Sequence, residues 1–217
     1  MGTGDALRIE RFIFNEFSEN TYLLYAPEGE AMVIDLGCRT DEEWARIATF
    51  VEKERCTVKY LLNTHGHLDH LFGVPRGREA WKEASFWMHE ADLQLLESAP
   101  RQAALWGMEM SPMRLPDSFL KHGDVFELHG ERIEVIHTPG HSQGGVCFYL
   151  YKAGILFSGD TLFQHSIGRT DLPGGNYEQL IESIRSRLLV LHDEVRVLPG
   201  HGEFTTIGEE REHNPFL

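Results

Sequence analysis

The chain has 217 residues, with 20 Lys and Arg against 34 Asp and Glu, and 41% of its residues are hydrophobic. This length and composition predict a single globular domain with a packed core and exclude a disordered or fibrous chain. A formal net charge of −14 repels phosphate backbones and anionic lipid surfaces, so we expect no nucleic acid and no membrane among its partners.

Alternating apolar residues open the chain and predict three strands, followed by a helix and a buried strand. The first three strands are Leu7–Phe14, Asn20–Ala26 and Ala31–Leu36. A cap at Thr40-Asp41 starts the helix, which ends near Arg55, and the strand covers Thr57–Asn63. Further on we expect a helical stretch from His70 to Lys82, a strand at Phe86–His89 and a helix at Glu90–Glu97.

Residues 98–118 are rich in proline and carry three methionines, and we expect an irregular insert there. The methionines are Met108, Met110 and Met113. Two interpretations remain open: these flexible apolar side chains pack on the main core, or they form a wall over a substrate pocket.

The second half repeats the alternation of strands and helices. Its predicted strands are Asp124–Leu128, Glu131–His137, Gly145–Tyr151, Gly154–Gly159 and Glu194–Leu198. Apolar residues at helical spacing predict a helix from Tyr177 to Leu188, and Thr205 or Thr206 can cap a last helix that runs through Glu212. The weak internal repeat suits an α/β fold of four layers, αβ/βα, over residues 1–217.

Histidine is in excess, with 12 residues, and four potential metal ligands lie between positions 65 and 70 in the segment T-H-G-H-L-D-H. His65 and His67 are two residues apart and point to the same side of an extended segment. Asp69 and His70 follow and are free to reach a second ion. So dense a cluster in one loop predicts a metal site.

Three further candidate ligands each follow a predicted strand and are bordered by glycine. They are His141 in Pro-Gly-His, Asp160 in Gly-Asp and His201 in Pro-Gly-His-Gly. We expect all of them at one edge of the sheets. Five histidines and two aspartates are about the number of ligands that two adjacent metal ions need, and imidazole suits zinc, iron, copper or nickel.

Cysteine usage and the N-terminus bear on the compartment. The three cysteines, Cys38, Cys56 and Cys147, form no C-x-x-C pair, which predicts small buried side chains without a disulfide framework. The sequence shows neither a signal-peptide pattern nor an apolar run long enough to span a bilayer. We therefore expect a cytoplasmic protein.

These motifs resemble those of metallo-β-lactamase-fold hydrolases, most closely the short glyoxalase II-like (hydroxyacylglutathione hydrolase-like) proteins. The resemblance covers nearly the whole chain. Besides T-H-G-H-L-D-H it rests on His137-Thr-Pro-Gly-His-Ser142, Gly159-Asp-Thr-Leu-Phe163, Ile167-Gly-Arg-Thr-Asp-Leu-Pro-Gly-Gly175, Leu198-Pro-Gly-His-Gly202, Thr206-Ile-Gly-Glu-Glu-Arg211 and Asn214-Pro-Phe-Leu217.

The resemblance implies two divalent metal ions per chain, with zinc expected and iron or manganese as alternatives. It assigns His65, His67 and His141 to the first ion and Asp69, His70 and His201 to the second, with Asp160 bridging both. It also places Asp35 outside the ligand set. The implied reaction is hydrolysis of a hydroxyacylglutathione-like thioester, such as S-lactoylglutathione, by a metal-bridging hydroxide that Asp69 helps to orient.

One departure from that family concerns the thiol carrier. Longer glyoxalase II enzymes carry a helical C-terminal domain that helps to bind glutathione, whereas only 16 residues follow His201. Arg169 occupies the place of a cationic glutathione contact, but Asp171 stands where an aromatic residue is expected. Arg169 therefore either binds the substrate or pairs with an acid such as Asp171.

Three other activities remain open on the same fold. A persulfide dioxygenase would use one iron at the positions of His65, His141 and Asp160, whereas the complete second set favours hydrolysis. A lactonase or a phosphodiesterase would use the same ligands, although the negative charge argues against a nuclease. A metal-binding module without activity would be expected to have lost a ligand.

Overall fold

Alternating side chains build two six-stranded sheets, which the computed structural model describes within residues 7–217. The first sheet has the order β1 (Arg8–Phe14), β2 (Glu19–Tyr25), β3 (Glu30–Ile34), β4 (Thr57–Leu62), β5 (Ser85–His89), β6 (Ser118–Leu120). Along the second sheet, β14 (Thr205–Thr206) is followed by β13 (Arg196–Pro199), β10 (Ile155–Gly159), β9 (Val146–Leu150), β8 (Glu131–His137) and β7 (Val125–Leu128). A small hairpin, β11 (Leu162–Phe163) and β12 (Ser166–Ile167), stands apart.

In the described part of the chain, five α-helices cover the outer faces of the sheets. They are α1 (Asp41–Lys53), α2 (Val74–Ala80), α3 (Leu93–Leu105), α4 (Tyr177–Ser183) and α5 (Ile207–His213). Thr40 caps α1 in a reciprocal capping box with Glu43, and Thr206 caps α5, so both caps fall at predicted positions. Within residues 7–217 no helix is both long and apolar enough to cross a membrane.

The alternation of strand side chains produces three apolar layers. Leu23 packs with Ile47 of α1 on the outer side of the first sheet, whereas its neighbour Leu24 faces the second sheet. In the second sheet, Phe148 faces the first sheet and Cys147 packs with the helix residue Leu180. The chain therefore folds as helices, sheet, sheet and helices, which confirms the predicted four-layer αβ/βα sandwich.

The segment expected to be irregular, 98–118, is more ordered than predicted. Helix α3 continues through Pro100 to Leu105 because Leu96, Ala99 and Ala103 lie on one face and are buried against the first core. Tertiary packing thus outweighs the hydrogen bond that proline removes. Strand β6 and the hairpin of β11 and β12 were also missed, since elements of two or three residues show no period.

The structure bears on two questions from the sequence, namely where the three methionines pack and whether the three cysteines are buried. Met108, Met110 and Met113 are partly buried against the first core, which favours the packing interpretation. Cys38 and Cys147 are buried free thiols, and burial raises the pKa of Cys147 to about 11. Cys56 is partly exposed rather than buried.

Candidate metal centre

The loops with the candidate ligands meet at one edge, where parallel strands of both sheets end. Strand β4 leads into residues 64–70, and strands β8, β10 and β13 lead to His141, Asp160 and His201. Strand β13 is parallel to β10, and β8 runs in the same direction because both β8 and β10 are antiparallel to β9. Their carboxyl ends therefore coincide.

Two backbone hydrogen bonds fasten the sheets to each other at this edge. The Val146 amide donates to the Thr64 carbonyl over 2.8 Å, and the Asn20 amide donates to the Gly200 carbonyl over 2.7 Å. The two acceptors, Thr64 and Gly200, directly precede the predicted ligands His65 and His201. The loops of the two halves are therefore held together by backbone contacts as well as by side chains.

Three imidazoles form the first cluster, as the sequence predicted. His65, His67 and His141 each offer a ring nitrogen, and these atoms lie within 4.8 Å of one another. The Nδ1 atom of His67 is 2.8 Å from Nε2 of His141. All three side chains are buried. Converging imidazole nitrogens of this kind are the donor set of zinc or another borderline metal.

A second cluster lies beside the first. Asp69, His70 and His201 also place one ligand atom each within 4.8 Å of the others. Nε2 of His201 is 3.2 Å from Asp69 Oδ2 and 3.2 Å from Nε2 of His70. One carboxylate with two imidazoles completes a ligand set for another divalent ion.

Asp160 lies between the two clusters. Its Oδ2 atom is 3.6 Å from Nε2 of His141 in the first cluster and 3.6 Å from Nε2 of His201 in the second. Its Oδ1 atom is 3.5 Å from Nε2 of His70. The structure thus brings all seven predicted ligands into one place, and the position of Asp160 suits a carboxylate shared by two cations.

Backbone carbonyls orient two of the histidines. Nδ1 of His141 donates to the Arg169 carbonyl over 2.7 Å, and Nδ1 of His201 donates to the Phe17 carbonyl over 3.0 Å. Each bond fixes the tautomer so that the Nε2 lone pair points into the site, which is the usual arrangement around metal-binding imidazoles. Sequence reasoning could not find these partners, because a carbonyl leaves no signal in side-chain identity.

The third orienting partner is Asp35, which lies behind His70. Asp35 Oδ2 is 3.1 Å from His70 Nδ1 and accepts a hydrogen bond of 2.7 Å from the Thr64 hydroxyl. Its other oxygen accepts from the Thr64 amide over 2.7 Å. Asp35 also has a positive φ of 53°, a strained conformation for a residue other than glycine. It therefore contacts the back of a ligand, outside the ligand set, as the family resemblance implied.

The electrostatics of the two clusters differ. Burial, together with the neighbouring imidazoles, lowers the pKa of His65 well below its ordinary value. Burial also lowers the pKa of His70, but the carboxylates of Asp69, Asp160 and Asp35 outweigh it and raise that pKa well above its ordinary value. Burial therefore favours the neutral form of His65, whereas the surrounding carboxylates favour positive charge on His70.

These residues fit a pair of divalent cations. Nε2 of His65 and Oδ1 of Asp160 are buried and have no hydrogen-bond partner among residues 7–217, which the structure describes. Such atoms are costly unless something binds them. The nitrogens of His67 and His141 also face each other closely, which a shared cation would relieve.

A cleft of about 300 Å³ opens over the ligands. Its wall is apolar on one side, where Phe17, Leu68, Trp106 and Leu172 line it. The Phe17 and Trp106 rings meet edge to face with centroids 5.8 Å apart, and Trp106 remains 66% exposed. The apolar wall over the site is thus formed by aromatic and leucine side chains, whereas the methionines pack elsewhere.

Arg169 lines the same cleft and also pairs with Asp171. Its guanidinium donates to both carboxylate oxygens of Asp171, over 2.8 Å and 2.7 Å. These hydrogen bonds lower the pKa of Asp171 to about 2. Arg169 can therefore pair with Asp171 and still face the cleft. Its contact with a substrate remains a prediction.

The sequence profile of the metallo-beta-lactamase superfamily matches residues 14–201. The chain belongs to this superfamily. It is 38% identical over 212 residues to the hydroxyacylglutathione hydrolase GloC of Haemophilus influenzae, an alignment that spans 97% of this chain and 98% of that protein. The predicted glyoxalase II-like resemblance is thereby confirmed.

Two solved structures share the fold over nearly their full length. The BLEG-1 B3 metallo-beta-lactamase superposes with a TM-score of 0.87 at 36% identity, covering 97% of this chain and 99% of that one. TTHA1623 in a di-iron-bound form superposes with a TM-score of 0.85 at 37% identity, covering 96% of this chain and 100% of that one. The α/β sandwich is therefore that of a metallo-hydrolase.

Proposed function

We propose that this protein is a dinuclear metal-dependent hydrolase of hydroxyacylglutathione-like thioesters, of which S-lactoylglutathione is an example. The observation that carries the proposal is the completeness of two adjacent ligand sets on either side of Asp160. A site for one ion would need only one of these sets. The name of the Haemophilus influenzae relative supports the substrate class.

The ligand types support the proposed metal. His65, His67 and His141 would hold one ion, and Asp69, His70 and His201 the other, with Asp160 shared. Five imidazoles and two carboxylates suit zinc, and they also suit iron or manganese. The di-iron form of TTHA1623 keeps iron among the candidates. We propose zinc, with iron or manganese as alternatives.

Two divalent ions, when bound, supply Lewis acidity that lowers the pKa of water toward ~7 and stabilises negative charge on a carbonyl oxygen. The protein's own residues supply orientation. Asp69 is 15% exposed and lines the cleft, so its free carboxylate oxygen can accept a hydrogen bond from water and orient it. The proton that this water loses ends on the departing thiolate, because the charge of His70 and the hydrogen bond from His201 hold the pKa of Asp69 well below its ordinary value and leave it an orienting group. A thiol pKa near ~8.5 means that this leaving group needs no strong acid.

The cleft supports a substrate with an apolar part and an anionic part. Trp106 and Phe17 offer flat surfaces to an acyl chain or a carbon backbone. Arg169 on the same cleft is 61% exposed at its side chain, and it can meet a carboxylate of the carrier by exchanging it for Asp171. Its backbone carbonyl orients His141, whereas its guanidinium is hydrogen-bonded to Asp171, so a change of the side chain can act on binding alone.

The experiment compares substrates and metal content in one preparation. The protein reconstituted with zinc, iron or manganese is assayed on S-lactoylglutathione, a lactone, a phosphodiester and glutathione persulfide. We expect thioester hydrolysis to exceed the other activities by orders of magnitude, with two metal equivalents per chain. Preference for the lactone or the phosphodiester at the same metal content would contradict the proposed substrate class.

The second candidate, a mononuclear iron persulfide dioxygenase, is tested by removing ligands of the second set alone. His201→Ala and His70→Ala should each leave the first ion bound and lower thioester hydrolysis by orders of magnitude. Oxygen uptake on glutathione persulfide with about one iron per chain, unaffected by either substitution, would overturn the dinuclear hydrolase.

A further inference from the structure

Asp92 is a buried carboxylate that belongs to neither ligand set. It ends the 3-10 turn Glu90–Asp92 just before helix α3, and it is only 1% exposed. Nothing in its local sequence marks it as part of the site. A carboxylate in such a place is costly unless hydrogen bonds compensate for its lost hydration.

Those hydrogen bonds come from both loops that hold the first cluster. The Gly66 amide donates to Asp92 Oδ2 over 2.9 Å, and the Ser142 hydroxyl donates to the same oxygen over 2.7 Å. The Gly144 amide donates to Oδ1 over 2.6 Å. Gly66 lies between the ligands His65 and His67.

One side chain therefore joins two segments that are far apart in sequence. Gly66 and Ser142 are 26 and 50 residues away from Asp92, in opposite directions. Ser142 directly follows His141 and Gly66 lies between His65 and His67, so two of the three donors are next to a ligand of the first cluster. The carboxylate determines how closely the loop of His65 and His67 approaches the loop of His141.

The two glycines leave room for this contact. A Cβ atom on Gly144 would lie 2.7 Å from Asp92 Cγ, and one on Gly66 would lie 3.1 Å from Asp92 Cβ. The first distance is too short for any real side chain, and the second requires the neighbour to shift. Both loops are thus shaped around Asp92.

We propose that Asp92 is the positioning residue of the first metal site, which holds the His65–His67 loop and the His141 loop at the separation that one ion requires. This inference rests on the proposed dinuclear function. The second set has its own orienting groups, Asp35 behind His70 and the Phe17 carbonyl behind His201. Loss of Asp92 should therefore act on the first site only.

Asp92→Asn tests the proposal with little change in shape. All three partners approach as donors, so the amide group of asparagine must meet at least one N–H or O–H with its own N–H. Ser142→Ala removes one donor and leaves Asp92 and both amide contacts intact. It serves as the milder variant if Asp92→Asn does not fold.

Glu210 provides a matched control for a purely structural loss. It is 0% exposed and also accepts three hydrogen bonds, from the His165 amide, the Thr205 hydroxyl and the Asn214 side chain. Glu210 is absent from both ligand sets. Glu210→Gln should therefore lower the melting temperature as Asp92→Asn does, without changing metal affinity.

The measurement is zinc affinity by competition with a chromophoric chelator, in the wild type and in a His201→Ala background that retains the first site alone. We expect Asp92→Asn to weaken the first site by about tenfold or more, the range found for groups that orient ligands. Ser142→Ala should weaken it less, and Glu210→Gln should leave it within twofold. Substitution of Asp92 should also lower kcat more than it raises KM, because the carboxylate lies outside the cleft.

Two outcomes would overturn the inference. One is a folded Asp92→Asn protein, or Ser142→Ala where the former does not fold, with the first-site affinity of the wild type. The other is equal weakening of both sites, which would mean a general loss of structure. Failure of the wild type to bind two ions would instead contradict the proposed function, so the two failures are distinguishable.

Discussion

Asp35 Oδ2 lies 3.1 Å from His70 Nδ1, on the side of the imidazole that faces away from the cleft. Both side chains are almost fully buried, with exposures of 2% and 0%. A carboxylate behind a histidine requires the proton on the near nitrogen and leaves the lone pair on the far one, Nε2. Asp35 therefore sets the form in which His70 can bind a cation.

The first prediction concerns this pair. Asp35→Asn keeps the volume, but its amide group faces the Thr64 hydroxyl and His70 Nδ1 with an N–H and favours the other histidine tautomer. We expect affinity for the second ion to fall about 10- to 100-fold while the first ion stays bound. Metal analysis and chelator competition check this result, with the exposed Asp171→Asn as control. If Asp35→Asn binds the second ion as tightly as the wild type does, Asp35 is only a hydrogen-bond acceptor at the end of a strand.

The second prediction concerns Asp160, the carboxylate between the clusters. Asp160→Ala removes the one group that both ions would share and that offsets their mutual repulsion. We expect loss of tight binding of both ions and loss of activity by more than about 100-fold. Two equivalents of metal in the purified variant would contradict the bridging role.

The third prediction separates binding from chemistry at Arg169. Arg169→Ala should raise KM for an anionic thioester about two- to fivefold, the usual worth of an exposed charge contact, and change kcat less. Asp171→Ala is the matched variant, because it frees the guanidinium and should lower KM. Steady-state kinetics on charged and uncharged thioesters check both. An unchanged KM in Arg169→Ala would assign the guanidinium to its ion pair alone.

The fourth prediction is a pH dependence of stability from two stacked histidines away from the metal centre. The rings of His89 and His137 are parallel within 7° with centroids 4.2 Å apart, and burial lowers the pKa of both. Below the unfolded value near ~6.5 the unfolded chain therefore binds more protons than the folded one. The stabilisation is complete above that pH and is lost as the pH falls through it.

His89→Phe keeps the stacking and removes one titrating group. Urea unfolding at pH 5.5 and 7.5, with chelator present throughout, should show a smaller loss of stability at low pH than in the wild type. The control is His192→Phe, which makes the same replacement at an exposed position. An identical pH slope in His89→Phe and the wild type would contradict this account.

Periodicity and motifs predicted the parts of the molecule that repeat a signal. The strand Glu131–His137 alternates with a period of two residues and the helix Asp41–Lys53 repeats near 3.6, and both were expected at or close to their observed bounds. The ligands were found because four of them lie together in residues 65–70, and the isolated histidine and aspartate motifs after later strands gained meaning only beside that cluster. The helix expected at Glu90–Glu97 continues to Leu105, since sequence alone does not show that Ala99 and Ala103 are buried.

What the sequence could not predict depends on distant partners. Asp92 looks like any acidic residue before a helix until the fold brings Gly66 and Ser142 to it. The wall formed by Phe17 and Trp106 joins two loops that share no motif. Contacts of this kind are decided by packing between elements, and no local pattern encodes them.

Each ion would draw its ligands from both halves of the chain. His65 and His67 need His141 from the second sheet, and Asp69 and His70 need His201. Ions at these positions would thus link two halves of the chain that already share an apolar layer between their sheets. During synthesis the first ligand set is complete only after Asp160 has emerged, and the second only after His201. A chain interrupted between these positions would carry one complete site and one open one.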